Sequence, residues 1–141
     1  MTRRTAVTAL YSRDINRAKS LAEKFGIQNS FDNYDDFLKS DFDALFVASS
    51  NVHHYEQVIK AAKAGKNILC EKPLAITSQQ AEEMVKVCKE NNVLLAVNYV
   101  HRFHPLVIKA KELLVDQRLG KLVSIDVHFN MDFPLDNNFR F

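Results

Sequence analysis

Residues 43–73 read DALFVASSNVHHYEQVIKAAKAGKNILCEKP, and this stretch decides the fold class. Residues 43–48 are a near-continuous apolar run, the pattern of a parallel strand with both faces covered. Ser49, Ser50 and Asn51 interrupt it. The spacing then predicts a helix over residues 54–64 with Val58, Ile59 and Ala62 inward, and Gly65 stops it because glycine accepts left-handed backbone cheaply. Residues 67–70 are a second short strand, followed at once by Glu71-Lys72-Pro73. Strand, helix and strand at this spacing make a right-handed parallel crossover.

The same alternation extends in both directions. Residues 6–11 are apolar apart from Thr8 and predict a buried strand, followed by a helix capped by Ser12 or Asp14. Its apolar positions Ala18, Leu21, Ala22 and Phe25 recur at three and four, and Gly26 ends it. Residues 28–31 are a weaker strand and 34–38 one or two helical turns. Downstream, residues 78–91 predict a helix with Ala81, Met84, Val85 and Cys88 on one face and Gln79, Glu82, Glu83, Lys86 and Lys89 on the other. A strand over 93–97 follows. Four such alternations define an α/β chain built on a mostly parallel sheet.

The pattern changes near residue 104. Pro105 opens a helix over 106–115, and from 122 to 129 apolar residues alternate with polar ones, the signature of a strand with one wet face. We therefore divide the chain into residues 1–103 and residues 104–141, the second part being a connecting helix and the first strand of a further α/β domain. A boundary near Gly120 fits the pattern as well.

Nineteen Lys and Arg against seventeen Asp and Glu, scattered along the chain, leave no basic stripe for a phosphate backbone or an anionic membrane. Nucleic acid and membrane are excluded as expected partners. No apolar run reaches the roughly 20 residues of a membrane helix, and no hydrophobic signal core follows the amino-terminal charges. Cys70 and Cys88 lack metal-site spacing and read as reduced, buried thiols, so a cytoplasmic location is expected. The five histidines do not have metal-ligand spacing, and neither a nucleophile elbow nor a phosphate-loop lysine is present.

Polar clusters follow four strands: Ser12-Arg13-Asp14, Ser49-Ser50-Asn51, Glu71-Lys72-Pro73 and Asn98-Tyr99. In an open parallel sheet the ligand lies beyond the carboxyl ends of the strands, where helix amides also converge. Lys72, fixed between a carboxylate and a proline, can present its ammonium to a ligand hydroxyl or lie along the surface. Glu71 can orient Lys72 or cap a turn. Arg13 can meet a ribose 2′-phosphate or simply face solvent. Ser49, Ser50 and Asn51 offer short polar contacts to a ribose or diphosphate, or cap the next helix.

The stretch from Leu45 to Cys88 resembles the glucose-fructose oxidoreductase, inositol dehydrogenase and rhizopine catabolism family of NAD(P)-dependent oxidoreductases, most specifically at Ala64-Gly65-Lys66 and Glu71-Lys72-Pro73. The likeness reaches back through Tyr11-Ser12-Arg13-Asp14 and forward from Asn98 to Pro105. It implies a Rossmann domain followed by an α/β domain, and hydride transfer between a nicotinamide cofactor and a sugar, polyol or diol carbon. Lys72 is then the catalytic residue, beside the nicotinamide and the reacting oxygen. The cofactor set becomes Ser12, Arg13, Ser49, Asn51, His54, Glu71, Lys72, Pro73, Asn98 and Arg102, and Ser12-Arg13 resembles the variant that favours NADP over NAD. No metal is implied, and the intact protein is expected to be a homo-oligomer.

The chain departs from the family pattern at its start. Members begin with a strand and a Gly-x-Gly-x-x-Gly turn, whereas no glycine precedes Gly26 here. The expected fold is a partial Rossmann-like sheet lacking that first strand and glycine-rich turn, with unpaired internal edges. The expectation is a fragment, inactive by itself. The alternative is a noncatalytic interaction protein that retains part of the fold.

Overall fold

The computed structural model describes residues 5–116, 120–128 and 130, which fall into two compact units, Met1–Tyr99 and Val100–Phe141. The division lies shortly before the 103/104 boundary read from the pattern change. In the first unit the strands are β1 (Ala9–Tyr11), β2 (Asn29–Phe31), β3 (Ala44–Val47), β4 (Asn67–Cys70) and β5 (Leu95–Val97). Helices α1 (Ile15–Phe25), α2 (Tyr34–Lys39), α3 (Asn51–Lys63) and α4 (Ser78–Glu90) alternate with them.

Every pairing is parallel, but the strands form two sheets, β1-β2 and β3-β4-β5. Among the described residues no ladder joins β1 to β3, the arrangement expected of a Rossmann-like sheet without its central strand. The strand predicted over 6–11 shrinks to three residues, and Ala6 and Val7 are exposed. Val93 and Leu94 likewise stay outside β5, where the Leu94 amide donates instead to Asn67 Oδ1.

Local chemistry sets the helix ends. Asp14 rather than Ser12 caps α1, its Oδ1 accepting from the amides of Asn16 and Arg17, while Ser12 Oγ receives the Asp14 amide. Gly26 closes the helix at φ 66°, a conformation in which an L side chain is strained. The Asp14→Ala protein should lose about 1 kcal/mol of stability in urea unfolding, and Asp14→Asn should recover most of it. Thr77 caps α4 through the Gln80 amide. Helix α3 begins at Asn51, three residues earlier than the apolar spacing suggested.

The core lies on one face of β3-β4-β5. Leu45, Val47, Ile68 and Cys70 pack with Val58, Ala61 and Ala62 of α3, Met84 and Cys88 of α4, and Phe37 and Leu38 of α2. The opposite face carries Phe46, 50% exposed, and Leu69, 38% exposed, in register with each other and with Ala96. This corrects the expectation that residues 43–48 are covered on both sides. Two successive right-handed crossovers place α3 and α4 on the same side, so only alternate residues of each strand are buried. Val85 is also reassigned: at 40% exposure it leaves the inner face of α4 to Ala81, Met84, Val87 and Cys88.

Lys66 anchors the turn before β3. Its ammonium donates to the carbonyls of Ser40 and Phe42 and sits 4.2 Å over the Phe42 ring, which stacks on Phe37. In the second unit a 3₁₀ turn (Val100–Phe103) precedes α5 (Pro105–Val115), which has Pro105 at its first turn and no buried residue. The strand predicted over 122–129 is not formed among the described residues: 122–128 pair with nothing in a ladder, and Phe129 lies outside them. Alternation alone cannot hold a strand that lacks a hydrogen-bonded neighbour.

Candidate functional site

The parallel register continues one residue beyond the strands. The Glu71 amide donates to Val47 O at 2.9 Å, and the Asn98 amide donates to Cys70 O at 2.8 Å. Glu71 and Asn98 therefore stand side by side at the carboxyl ends of β4 and β5, where Asn98 Nδ2 donates to Glu71 Oε1 at 2.7 Å. The other carboxylate oxygen, Oε2, receives the Lys72 backbone amide at 3.1 Å. Lys72 itself is exposed, and among the described residues its side chain enters no ion pair.

Asn98 is the principal cause of a Glu71 carboxyl held below its ordinary value of 4.5; partial burial opposes it, and the Lys72 amide, the Lys72 charge and His54 assist. A carboxyl depressed in the folded state adds stability above its unfolded titration range and loses it as pH falls through its folded value. Asn98→Ala should therefore raise the Glu71 midpoint toward 4.5 by carboxyl-detected NMR. The accompanying destabilisation should be measurable at neutral pH and should shrink in acid well below 4.5.

His54 is the residue whose place the sequence left least visible. It is 0% exposed, with Nδ1 2.9 Å from Pro73 O and Nε2 3.1 Å from Ser49 O. Both ring nitrogens thus lie against backbone carbonyls, those of Pro73 and Ser49. The available signal was helical spacing, since His54, Val58, Ala61 and Ala62 share one face of α3.

Ser49 Oγ donates to Gln57 Oε1 at 2.7 Å, and Tyr34 Oη donates to the Gln57 carbonyl at 2.9 Å. Gln57 thus fixes the turn after β3, a role the sequence did not single out. Ser50 occupies the N-cap position of α3 without a side-chain cap bond, and Asn51 is exposed in its first turn. The peptide between Lys72 and Pro73 is cis, and the Pro73 ring is exposed. Cys70, one residue before the cluster, is free and buried, with its thiol pushed up to about 12 chiefly by burial.

The strand ends thus bring together Ser49, His54, Glu71, Lys72, Pro73 and Asn98. Ser12 and Arg13 lie on the turn after β1, in the other sheet, with Arg13 exposed. Arg102 belongs to the 3₁₀ turn of the second unit, where it is exposed. Among the described residues no three His, Cys, Asp or Glu side chains could hold a metal ion, and no helix is long and apolar enough to cross a membrane.

Parallel α/β layers with polar side chains gathered beyond the strand ends define a dinucleotide-binding domain of Rossmann type. Residues 1–99 match the oxidoreductase family with an NAD-binding Rossmann fold, GFO_IDH_MocA, and the chain belongs to that family. It is 34% identical over 127 residues to a D-xylose 1-dehydrogenase (NADP(+)) of Haloferax volcanii, an alignment covering 89% of this chain and 39% of that one. It is 31% identical to trans-1,2-dihydrobenzene-1,2-diol dehydrogenase of Xenopus tropicalis, over 89% of this chain and 38% of that one. The crystal structure of myo-inositol 2-dehydrogenase from Lactobacillus plantarum superposes with a TM-score of 0.78 at 27% identity, over 86% of this chain and 36% of that one. The chain thus spans under two-fifths of the length of each of these relatives.

The residues accommodate one part of a dinucleotide better than another. Lys72 offers an exposed ammonium, and Asn98 keeps its amide oxygen as an acceptor once Nδ2 is engaged with Glu71. Ser12 and Arg13 offer a hydroxyl and a guanidinium. The chain's three glycines, however, follow α1, follow α3 or lie in the second unit, so none forms a strand-to-helix turn that could cradle a diphosphate.

Proposed function

We propose that this chain supplies the nicotinamide-facing part of an NAD(P)-dependent oxidoreductase acting on a hydroxyl or carbonyl carbon of a sugar, polyol or diol. The observation that carries the reading is Lys72: its side chain is exposed, yet the backbone before it is tied to Val47 at the end of β3 and the backbone after it to His54 of α3. A bound nicotinamide would supply hydride exchange at C4. Lys72 Nζ holds hydrogen-bonding protons for the substrate oxygen and stabilises the negative charge that develops there during oxidation. Glu71 and Asn98 hold the lysine's backbone. Arg13 favours a 2′-phosphorylated ribose and hence NADP, with NAD the other candidate.

The lengths of the relatives support a longer active protein, and the two buried free thiols support a cytosolic one. Residues 1–141 alone should turn over sugars, inositols and cyclic diols at no more than trace rates. The test is nicotinamide absorbance with NAD and NADP on the complete gene product. Turnover of any of these substrate classes supports the reading. A folded product that neither binds nor reduces either nucleotide overturns it in favour of a noncatalytic interaction protein.

A further inference from the structure

We propose that His54 is a positioning residue for Lys72, acting through the turn that carries the lysine. The inference rests on the assignment of Lys72 given above and adds the means by which the lysine is held. Three independent anchors surround an otherwise unpartnered side chain. Glu71 N is bonded to Val47 O, Lys72 N to Glu71 Oε2, and the Pro73 carbonyl to His54 Nδ1. The first two come from the strand side of the turn. The third comes from within α3 and ties down the residue immediately after the lysine.

The second nitrogen extends the brace. With Nε2 at 3.1 Å from Ser49 O, the ring spans the turns after β3 and β4, and its complete burial leaves no path for a ligand to reach either nitrogen without displacing a carbonyl. A neutral ring donates through one nitrogen and a doubly protonated ring through both, so at least one turn is always tied to α3. An apolar residue of similar volume would fill the same space and hold neither turn. Such a difference separates a brace from simple packing.

The experiment uses the 141-residue chain without nucleotide and follows amide hydrogen exchange by NMR in wild type, His54→Phe and His54→Gln. In His54→Phe, exchange at Lys72 and Glu71 should quicken about tenfold relative to Ile68 and Met84 of the core, the loss expected for one buried hydrogen bond. His54→Gln, which keeps an amide donor, should recover part of that protection. Parallel loss at all four amides, or no local change, overturns the proposal. If His54→Phe does not fold, the wild-type imidazole decides: a nitrogen-bound proton slow to exchange and coupled to the Pro73 or Ser49 carbonyl supports the brace, and a freely exchanging ring defeats it. An inactive complete gene product with these signals intact would instead defeat the redox assignment alone.

Discussion

On the proposed assignment, Lys72→Met in the complete gene product should lower turnover by roughly 10²–10⁴-fold, the range associated with removing a positioned acid–base group, while leaving the folded state untouched. The two halves of that expectation have separate grounds. The side chain is exposed and makes no ion pair among the described residues, so its loss should change stability by no more than about 0.5 kcal/mol. Its ammonium is nevertheless exposed just beyond the end of β4, where the proposed reading has it meet the substrate oxygen. Lys72→Arg should recover little, because a guanidinium is bulkier, spreads its charge and does not give up a proton at these pH values. Steady-state rates measured with matched thermal unfolding check both halves. A Met variant with wild-type kcat removes Lys72 from the chemistry.

Met84→Ala has the largest expected effect on stability, a loss of about 2–5 kcal/mol. Met84 is fully buried among α3, α4 and the covered face of β3-β4-β5. Truncation removes both its transfer free energy and the contacts of the atoms that line the space left behind. The neighbouring Val85→Ala is the control: Val85 is largely outside the core, so its cost should be well under that of Met84→Ala. Urea unfolding of the two variants, with unchanged slopes, distinguishes them. Equal losses would mean that the inner face of α4 is wrongly placed.

These two residues also mark the limit of what could be read before the fold was known. Met84 and Val85 are adjacent apolar residues on a helix, and an apolar pattern with period 3.6 admits either at the edge of the buried stripe. Only the direction from which α3 approaches separates them. Similarly, Phe46 and Val47 both belong to an apolar run, and which one is covered depends on the side taken by the crossovers. The alternating residues 122–128 failed for the opposite reason: their pattern is strand-like, but pairing is a property of two segments.

At the site, Glu71, Lys72 and Asn98 could be singled out because polar residues directly after parallel strands converge on one rim. His54 and Gln57 could not be given their roles in that way. One braces two turns through backbone carbonyls, and the other orients Ser49 and receives the Tyr34 hydroxyl. Carbonyl oxygens exist at every residue, so no side-chain pattern announces which of them a buried donor will meet.

The order of residues by itself determined the alternation of strands and helices, their glycine stops, the parallel class of the sheet and the rim on which Lys72 stands, because periodicity, turn chemistry and crossover geometry are local. The tertiary structure alone decided the single covered face of β3-β4-β5 and the enclosure of His54. Those depend on which surfaces meet, and burial is settled by the partner as much as by the residue.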